Sequence, residues 1–405
     1  MTATSWPEVR LGDVAIAFQD GPFGSNLKSE HYVEAGVRVV RLQNIGPGSF
    51  IDVDRAFVTE EHFARLRKHE CLPGDVLIAT LGDPIVRACV QPSSIPVALN
   101  KADCLRMRCD PNRAVPEYVA GCLNSGLFQA RLAALAHGQT RPRVNLRQVR
   151  DAQIPLPPVG EQRRIASVLN QADALRVQRQ GSVSLLGSIT DGYFLSAFGD
   201  PARNERSHPI LPLGDVASRF ADGPFGSSLK SSHYVDEPGV RVVRLQNIGT
   251  GEFIDDDAAF ISEAHFDRLR VHECRPGDVL VGTMGDPNLR ACVQPAWLDR
   301  ALNKADCVQI RPDPMVATAT WLSGLLNLPS TCRMASGLIR GQTRARLSMG
   351  RLRSMLVPVP PLADQHAFAE RVDEVRRQRA RLERSAERLD ELFASLQQRA
   401  FRGDL

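Results

Sequence analysis

The stretch Asp-Gly-Pro-Phe-Gly-Ser stands at Asp20–Ser25 and again at Asp222–Ser227. Arg-Val-Val-Arg-Leu-Gln-Asn-Ile-Gly recurs at Arg38–Gly46 and Arg241–Gly249, and Ala-Leu-Asn-Lys-Ala-Asp-Cys at Ala98–Cys104 and Ala301–Cys307. Gly-Gln-Thr-Arg occupies Gly138–Arg141 and Gly341–Arg344, and the proline-rich run Pro155–Pro158 is answered by Pro358–Pro361. The offset is 203 residues (241 − 38 and 341 − 138), after one inserted residue near Glu237. Two copies of this size are too few and too large for a solenoid. The chain is a duplicated unit, a pseudo-dimer in one polypeptide.

Each copy changes texture at its prolines. Ahead of them, Val37–Leu42, Asp75–Thr80, Ala88–Gln91 and Cys104–Arg108 read as strands between turn signals, with helices expected at Thr59–Arg67 and Pro116–Ala136. After Pro158 the pattern turns helical for about 40 residues. In the second copy, Phe368, Val372, Val375, Arg379, Leu382, Ala386, Leu389, Phe393, Leu396 and Ala400 follow steps of four and three, the spacing of a coiled-coil seam. The first copy offers Ile165, Leu169, Ala172, Arg176, Arg179, Val183, Leu186, Thr190, Tyr193 and Ala197. Gly181, Gly187 and Gly192 weaken that first helix by about 1 kcal/mol each relative to alanine. The other helix is the expected partner, in antiparallel pairing. At ~1.5 Å per residue each helix reaches about 60 Å. From Leu362 to Leu405 nine arginines face nine acidic residues, a neutral rod suited to protein partners rather than phosphate.

Charge is distributed unevenly elsewhere. The net charge of +4 permits nucleic-acid binding without demanding it, and 45 of the 50 basic residues (50 − 5 lysines) are arginine. Gly138–Arg150 holds Arg141, Arg143, Arg147 and Arg150 without an acid, and Arg340–Arg353 holds Arg340, Arg344, Arg346, Arg351 and Arg353 likewise. With Gln139, Thr140, Asn145, Gln342 and Thr343 beside them, these stretches carry the chemistry of phosphate anchoring and base-edge reading. Further DNA-contact candidates are Lys28 and Lys230 after the Gly-Pro-Phe-Gly-Ser loops, and Lys101 and Lys304. The loops read either as phosphate cradles or as structural turns. Gln43, Asn44, Gln246 and Asn247 read either as base contacts or as turn chemistry before a glycine.

Motifs of catalysis are missing from the sequence: no Walker A run, no Gly-x-Gly-x-x-Gly, no His-Glu-x-x-His, no Gly-x-Ser-x-Gly and no Asn/Asp-Pro-Pro-Tyr/Phe. Gly82–Pro84 and Gly285–Pro287 read as turns rather than catalytic acids. The paired cysteines (Cys71/Cys274, Cys89/Cys292, Cys104/Cys307) lack metal-ligand spacing and read as small buried hydrophobes. His31/His233, His62/His265 and His69/His272 recur without an evident metal partner. No catalytic residue and no metal are expected. No apolar run approaches membrane-spanning length, so a cytoplasmic, membrane-free protein is expected.

The order of elements carries a resemblance. Leu-Gly-Asp-Val (Leu11–Val14, Leu213–Val216) precedes Pro-Gly-Asp-Val-Leu (Pro73–Leu77, Pro276–Leu280), then a Gly-x-Thr loop, then Pro-Leu-Pro-Pro-Val-Gly-Glu-Gln-Arg-Arg-Ile-Ala (Pro155–Ala166). Over nearly the whole chain this resembles the specificity subunit of type I restriction–modification systems. The second exit departs, with Ala363-Asp364-Gln365-His366 in place of Gly-Glu-Gln-Arg, which is expected to alter its helix start or partner contact.

The resemblance implies an α+β fold: two mixed, β-rich target-recognition domains in pseudo-two-fold arrangement, separated by two long helices forming an antiparallel coiled coil. The boundaries expected are 1–157 and 213–360 for the recognition domains, 158–198 and 361–405 for the spacer helices, and 199–212 for a linker. It implies a non-catalytic subunit that reads a bipartite double-stranded DNA target. Its partners would be two modification subunits binding S-adenosylmethionine, and restriction motor subunits using ATP and Mg. Equivalent domains imply a palindromic, interrupted target. The competing readings are a stand-alone DNA-modifying enzyme and a scaffold of a defence complex that does not touch DNA.

Overall fold

A computed structural model describes residues 6–22, 24–135, 143–224, 226–236, 239–285, 287, 289–338 and 346–405. The chain divides into two compact units: Met1–Gln180 with Arg384–Leu405, and Gly181–Glu383. Each long helix, Val159–Phe198 and Leu362–Arg402, gives one part to each unit.

In the first unit an antiparallel sheet runs in the order Ala15–Asp20, Cys104–Cys109, Val76–Ala79, Arg87–Val90. A second sheet orders Phe57–Val58, Val37–Val40, Ala98–Asn100 and Glu70–Cys71, with Val37–Val40 and Ala98–Asn100 parallel. Across the two sheets the short central strands are nearly continuous in apolar residues because Val37–Val40, Val76–Ala79 and Ala98–Asn100 are buried throughout. Glu8–Arg10 pairs with Gln153–Pro155, tying the chain's start to the proline exit. The second unit repeats the first sheet as Ala217–Asp222, Cys307–Pro312, Val279–Gly282, Arg290–Val293. Its other sheet gains a fifth short strand, Tyr234–Val235. The fold is α+β with two sheet-rich domains, as expected.

The helix expected over Pro116–Ala136 is two helices, Pro116–Leu123 and Gly126–Ala133. Ser125 breaks it: its hydroxyl accepts from the Phe128 amide as an N-cap. Asn124 beside it turns aside to bond both backbone groups of Ala88. The short helix over Glu60–Arg65 starts where expected, capped by Thr59.

At the exits the retained glutamine decides the geometry. Gln162 is fully buried; it accepts from the Val115 amide at 2.8 Å and donates to the Arg113 and Pro157 carbonyls at 2.8 and 2.9 Å. Gln365 repeats this with Thr318 (2.8 Å), Val316 (3.0 Å) and Pro360 (2.9 Å). Both helices therefore begin at equivalent residues, Val159 and Leu362 (362 − 159 = 203), and Ala363-Asp364 and His366 do not shift the start.

Within the first unit the two helical segments run antiparallel. Arg164 donates to the Leu405 carbonyl at 2.7 Å, and Arg176 to Asp390 Oδ1 at 2.7 Å. All ten seam residues of the second helix are buried or half-buried. The first helix follows its seam only to Thr190. Tyr193 and Ala197 point outward, and Phe194 and Phe198 are buried instead. Both rings lie 5.4 Å from Phe368, edge on, within the second unit. Two phenylalanines bury more apolar area than a tyrosine and an alanine, so the register yields to the larger hydrophobic gain.

Candidate nucleic-acid interface

The glycine-rich loop is held by a close backbone approach. A Cβ on Gly21 would lie 2.1 Å from the Lys101 carbonyl oxygen, and one on Gly223 would lie 2.1 Å from the Lys304 carbonyl carbon. Only glycine fits there, so this residue is structural, and it sets the loop against Lys101 and Lys304. The two lysines are half-buried over aromatic rings: Lys101 Nζ sits 5.3 Å from the centre of Tyr32, and Lys304 Nζ 5.3 Å from Tyr234 with a 2.8 Å hydrogen bond to its hydroxyl.

Beside the same tyrosine lies Arg41, 5.8 Å from the ring centre and ion-paired to Asp54 at 2.9 Å. Asp54 also accepts from Gln43 Nε2 at 2.8 Å. Arg244, Asp257 and Gln246 repeat the arrangement at 2.9 and 2.5 Å. The glutamine and arginine hold the Asp54 carboxyl below the usual carboxylate range, glutamine first. At Asp257 the arginine is the larger cause and the glutamine the second. These acids orient exposed Gln43 and Gln246 rather than leaving them as loose surface amides.

Arg143 joins from the other side. It pairs in a bridge with Leu81, its side chain is 68% exposed, and its guanidinium lies 4.0 Å from Asp103, two residues after Lys101. Arg346 takes the same place beside Asp306 at 3.0 Å, bridged to Met284. The structure thus gathers Gln43, Lys101 and Arg143, and Gln246, Lys304 and Arg346, in equivalent settings. The arrangement offers cationic and amide donors at an exposed edge, suited to phosphate and base edges.

Other expected contacts fare differently. Asn44 and Asn247 are fully buried and committed internally, and this corrects their reading as base contacts. Asn44 Oδ1 accepts from the Arg41 amide at 3.0 Å, and its Nδ2 donates to the Ile51 and Val53 carbonyls at 3.1 and 2.9 Å. Asn247 does the same with Arg244, Ile254 and Asp256. Asn145 is exposed but caps the helix Leu146–Asp151, bonding reciprocally with Gln148. Lys28 is exposed and paired with Glu30 at 3.3 Å; Lys230 is exposed where Ser232 replaces that acid. Gln139, Thr140, Arg141, Gln342, Thr343 and Arg344 lie outside the described residues.

Of the basic stretches, Arg150 and Arg353 are structural: each lies across a glycine, Gly12 or Gly214, whose Cβ would meet the arginine Cγ at 2.5 Å. Sequence reasoning missed Tyr32, Arg41 and Asp54 with their equivalents Tyr234, Arg244 and Asp257. Their recurrence at the repeat offset was the available signal.

The cysteines and histidines are framework. Burial pushes the Cys71 and Cys89 thiols up to about 12, and raises Cys104 further. His69 and His272 bond the Asp20 and Asp222 carbonyls at 2.7 Å. Among the described residues no group of three or more His, Cys, Asp and Glu is placed to hold a metal. Among them, too, no helix is long and apolar enough to cross a membrane.

Residues 5–181 match the family model of the type I restriction modification DNA specificity domain. The specificity subunit of the type I restriction enzyme MjaVIII from Methanocaldococcus jannaschii is 22% identical over 265 residues, which are 62% of this chain. The match spans 61% of that relative's length. A chain from a solved structure of type I R-M system complex assembly and conformational transition superposes with a TM-score of 0.63, at 20% identity and 99% coverage of both chains. The type I restriction–modification S subunit from M. genitalium gives 0.54 at 15% identity, covering 99% of this chain and 97% of that one. The specificity domain matches the first copy, its motifs return in order in the second, and the fold of the whole chain is like that of a type I restriction–modification S subunit.

Proposed function

We propose that this chain is the non-catalytic DNA-reading subunit of a restriction–modification complex, each copy reading one half of a bipartite target. The observation that carries this is the match of residues 5–181 to a DNA specificity domain, with the same basic and amide residues repeated in the second copy. The proposed partners are double-stranded DNA, two modification subunits seated on the long helices, and restriction motor subunits. S-adenosylmethionine belongs to the modification subunits, and ATP with Mg to the motor. The proposed address is the cytoplasm.

Because Gln43/Gln246, Lys101/Lys304 and Arg143/Arg346 are identical pairs in equivalent settings, the two half-sites are proposed to carry the same sequence in inverted orientation. Mapping of methylated bases in the host genome tests this: a palindromic, interrupted motif is expected, and two unrelated half-sites would overturn it. Replacing Arg141 and Arg344 together is expected to weaken DNA binding at least tenfold and to reduce the salt slope by about 2, one per lost phosphate contact. Unchanged affinity would remove those loops from the interface. A scaffold would show no salt-dependent affinity, and a stand-alone enzyme would modify or cleave DNA as the purified single chain.

A further inference from the structure

The two copies differ sharply in one place, where the long helices meet the sheet-rich domain. In the first unit Phe393 fills the space over Arg176, its ring centre 4.4 Å from the guanidinium, and Asp173 and Asp390 hold that guanidinium at 2.9 and 2.7 Å. The equivalent residues in the second unit are Thr190 for Phe393, Gly187 for Asp390 and Arg376 for Asp173, with Arg379 in the place of Arg176 (offset 203). A cavity of about 570 Å3 opens there, lined by Gly187, Thr190, Phe253, Trp297 and Arg379 among others. Its rim carries Trp297, 61% exposed and edge-on to Phe253 at 5.8 Å, where the first copy has Ser94.

We propose that this cavity receives an aromatic side chain of the modification subunit, supplying from the partner what Phe393 supplies within the chain in the first unit. The inference rests on the specificity-subunit reading above. Three observations choose the occupant. The chain itself places an aromatic ring against the equivalent arginine, so the chemistry of the site is established by its own duplicate. Arg379 is already ion-paired to Glu252 at 3.0 Å and to Glu383 at 2.7 Å, as Arg176 is to its two aspartates, so its charge is met and a ring stacked on the guanidinium, not a phosphate, completes the site. Two faces of the long helices, around Thr190 and around Arg379, form one wall, which is the surface on which the modification subunit is proposed to sit. An exposed tryptophan at the mouth of a recessed pocket is the usual setting of an interface anchor. Since Phe393 already lies over Arg176 at the equivalent position of the first unit, the two modification subunits bind inequivalently, one anchored by the pocket and one not.

The test uses the full chain and the methyltransferase subunit of the same system. Thr190→Phe fills the cavity from within, and Trp297→Ser restores the first copy's residue at an exposed position that carries little of the fold. Each variant is expected to weaken one of the two methyltransferase binding events at least tenfold in calorimetric titration. The other event and the affinity of the chain for DNA should remain unchanged, and Thr190→Phe should raise the melting temperature of the isolated chain. If folded Trp297→Ser and Thr190→Phe chains bind two methyltransferases within twofold of the parent, the proposal is overturned. A parent chain that binds no methyltransferase overturns the function reading itself, and the pocket assignment with it. A parent chain that sediments as a dimer and becomes monomeric on Thr190→Phe assigns the pocket to a second copy and overturns the partner named here.

Discussion

Asp278→Ala is expected to destabilise the second unit by about 3–5 kcal/mol, because it strips the partner from a buried pair. Asp278 is 1% exposed and accepts four hydrogen bonds. Two come from Arg311 as a fork at 2.7 and 2.8 Å, one from Gln309 at 2.5 Å and one from the Arg275 amide at 2.8 Å. Arginine and carboxylate meet here in the bidentate geometry that both groups favour. Gln309 is fully buried and would be left with an unsatisfied amide, while the Arg311 side chain, 33% exposed, would recover part of its solvation. Urea unfolding followed by the fluorescence of Trp321, fully buried in the same unit, should show the midpoint falling by roughly 1–2 M for an m of about 2–3 kcal/mol/M. A fall below a quarter of that would mean the pair contributes little beyond its hydrophobic replacement. The aspartate of the Pro-Gly-Asp-Val entry is thus a structural acid, and Asp75 with Arg108 repeats it at 2.7 and 2.8 Å.

Gln162→Leu is expected to cost the first unit about 3 kcal/mol, since each orphaned buried backbone group costs on the order of 1–3 kcal/mol. Leucine matches the volume but cannot serve the Val115 amide or the Arg113 and Pro157 carbonyls. The loss falls on the joint between the sheet-rich domain and the helix beginning at Val159. Hydrogen exchange should therefore speed up across 113–118 and the first turns of that helix, while the corresponding segment at Thr318 and Gln365 keeps its protection. Equal loss of protection in both copies would show that the two joints are coupled rather than independent. Gln162→Glu is a useful companion, since a carboxylate still accepts from Val115 but cannot donate to either carbonyl.

The architecture was legible because its causes are local or periodic. The repeat offset announced two equivalent domains, and the steps of four and three in Phe368–Ala400 announced the helical seam, every position of which is at least half-buried. Ser125 could have been read as a cap, and the division of the helix at that residue follows from chemistry visible in the sequence. The slip from Tyr193 to Phe194 was not legible by period alone: it depends on Phe368, 174 residues further on (368 − 194), to which the buried ring is packed.

The candidate interface divided in the same way. Arginines, lysines and amides were singled out by type and by recurrence in both copies, but type does not reveal direction. Gln43 and Asn44 are neighbours of similar chemistry, and the turn aims one at solvent, held by Asp54, and the other at the backbone of Ile51 and Val53. Arg143 and Arg150 share one basic run, yet one is 68% exposed and the other lies across Gly12. Tyr32 and Arg41 entered only when folding brought them beside Lys101, since no spacing rule links residues that far apart.

By itself the sequence determined that there are two copies, that each joins a β-rich domain to a long helix, and that the same basic and amide side chains recur in both. Those properties are written in repeats, periods and residue types, which need no third dimension. Tertiary structure decided which of the matched residues are free to meet a ligand and which are consumed in holding the turn. It also separated two nearly identical copies, by a phenylalanine present over Arg176 and a threonine in its place beside Arg379. Burial and hydrogen-bond commitment are properties of the packed neighbourhood, and a neighbourhood assembled from distant segments has no signature along the chain.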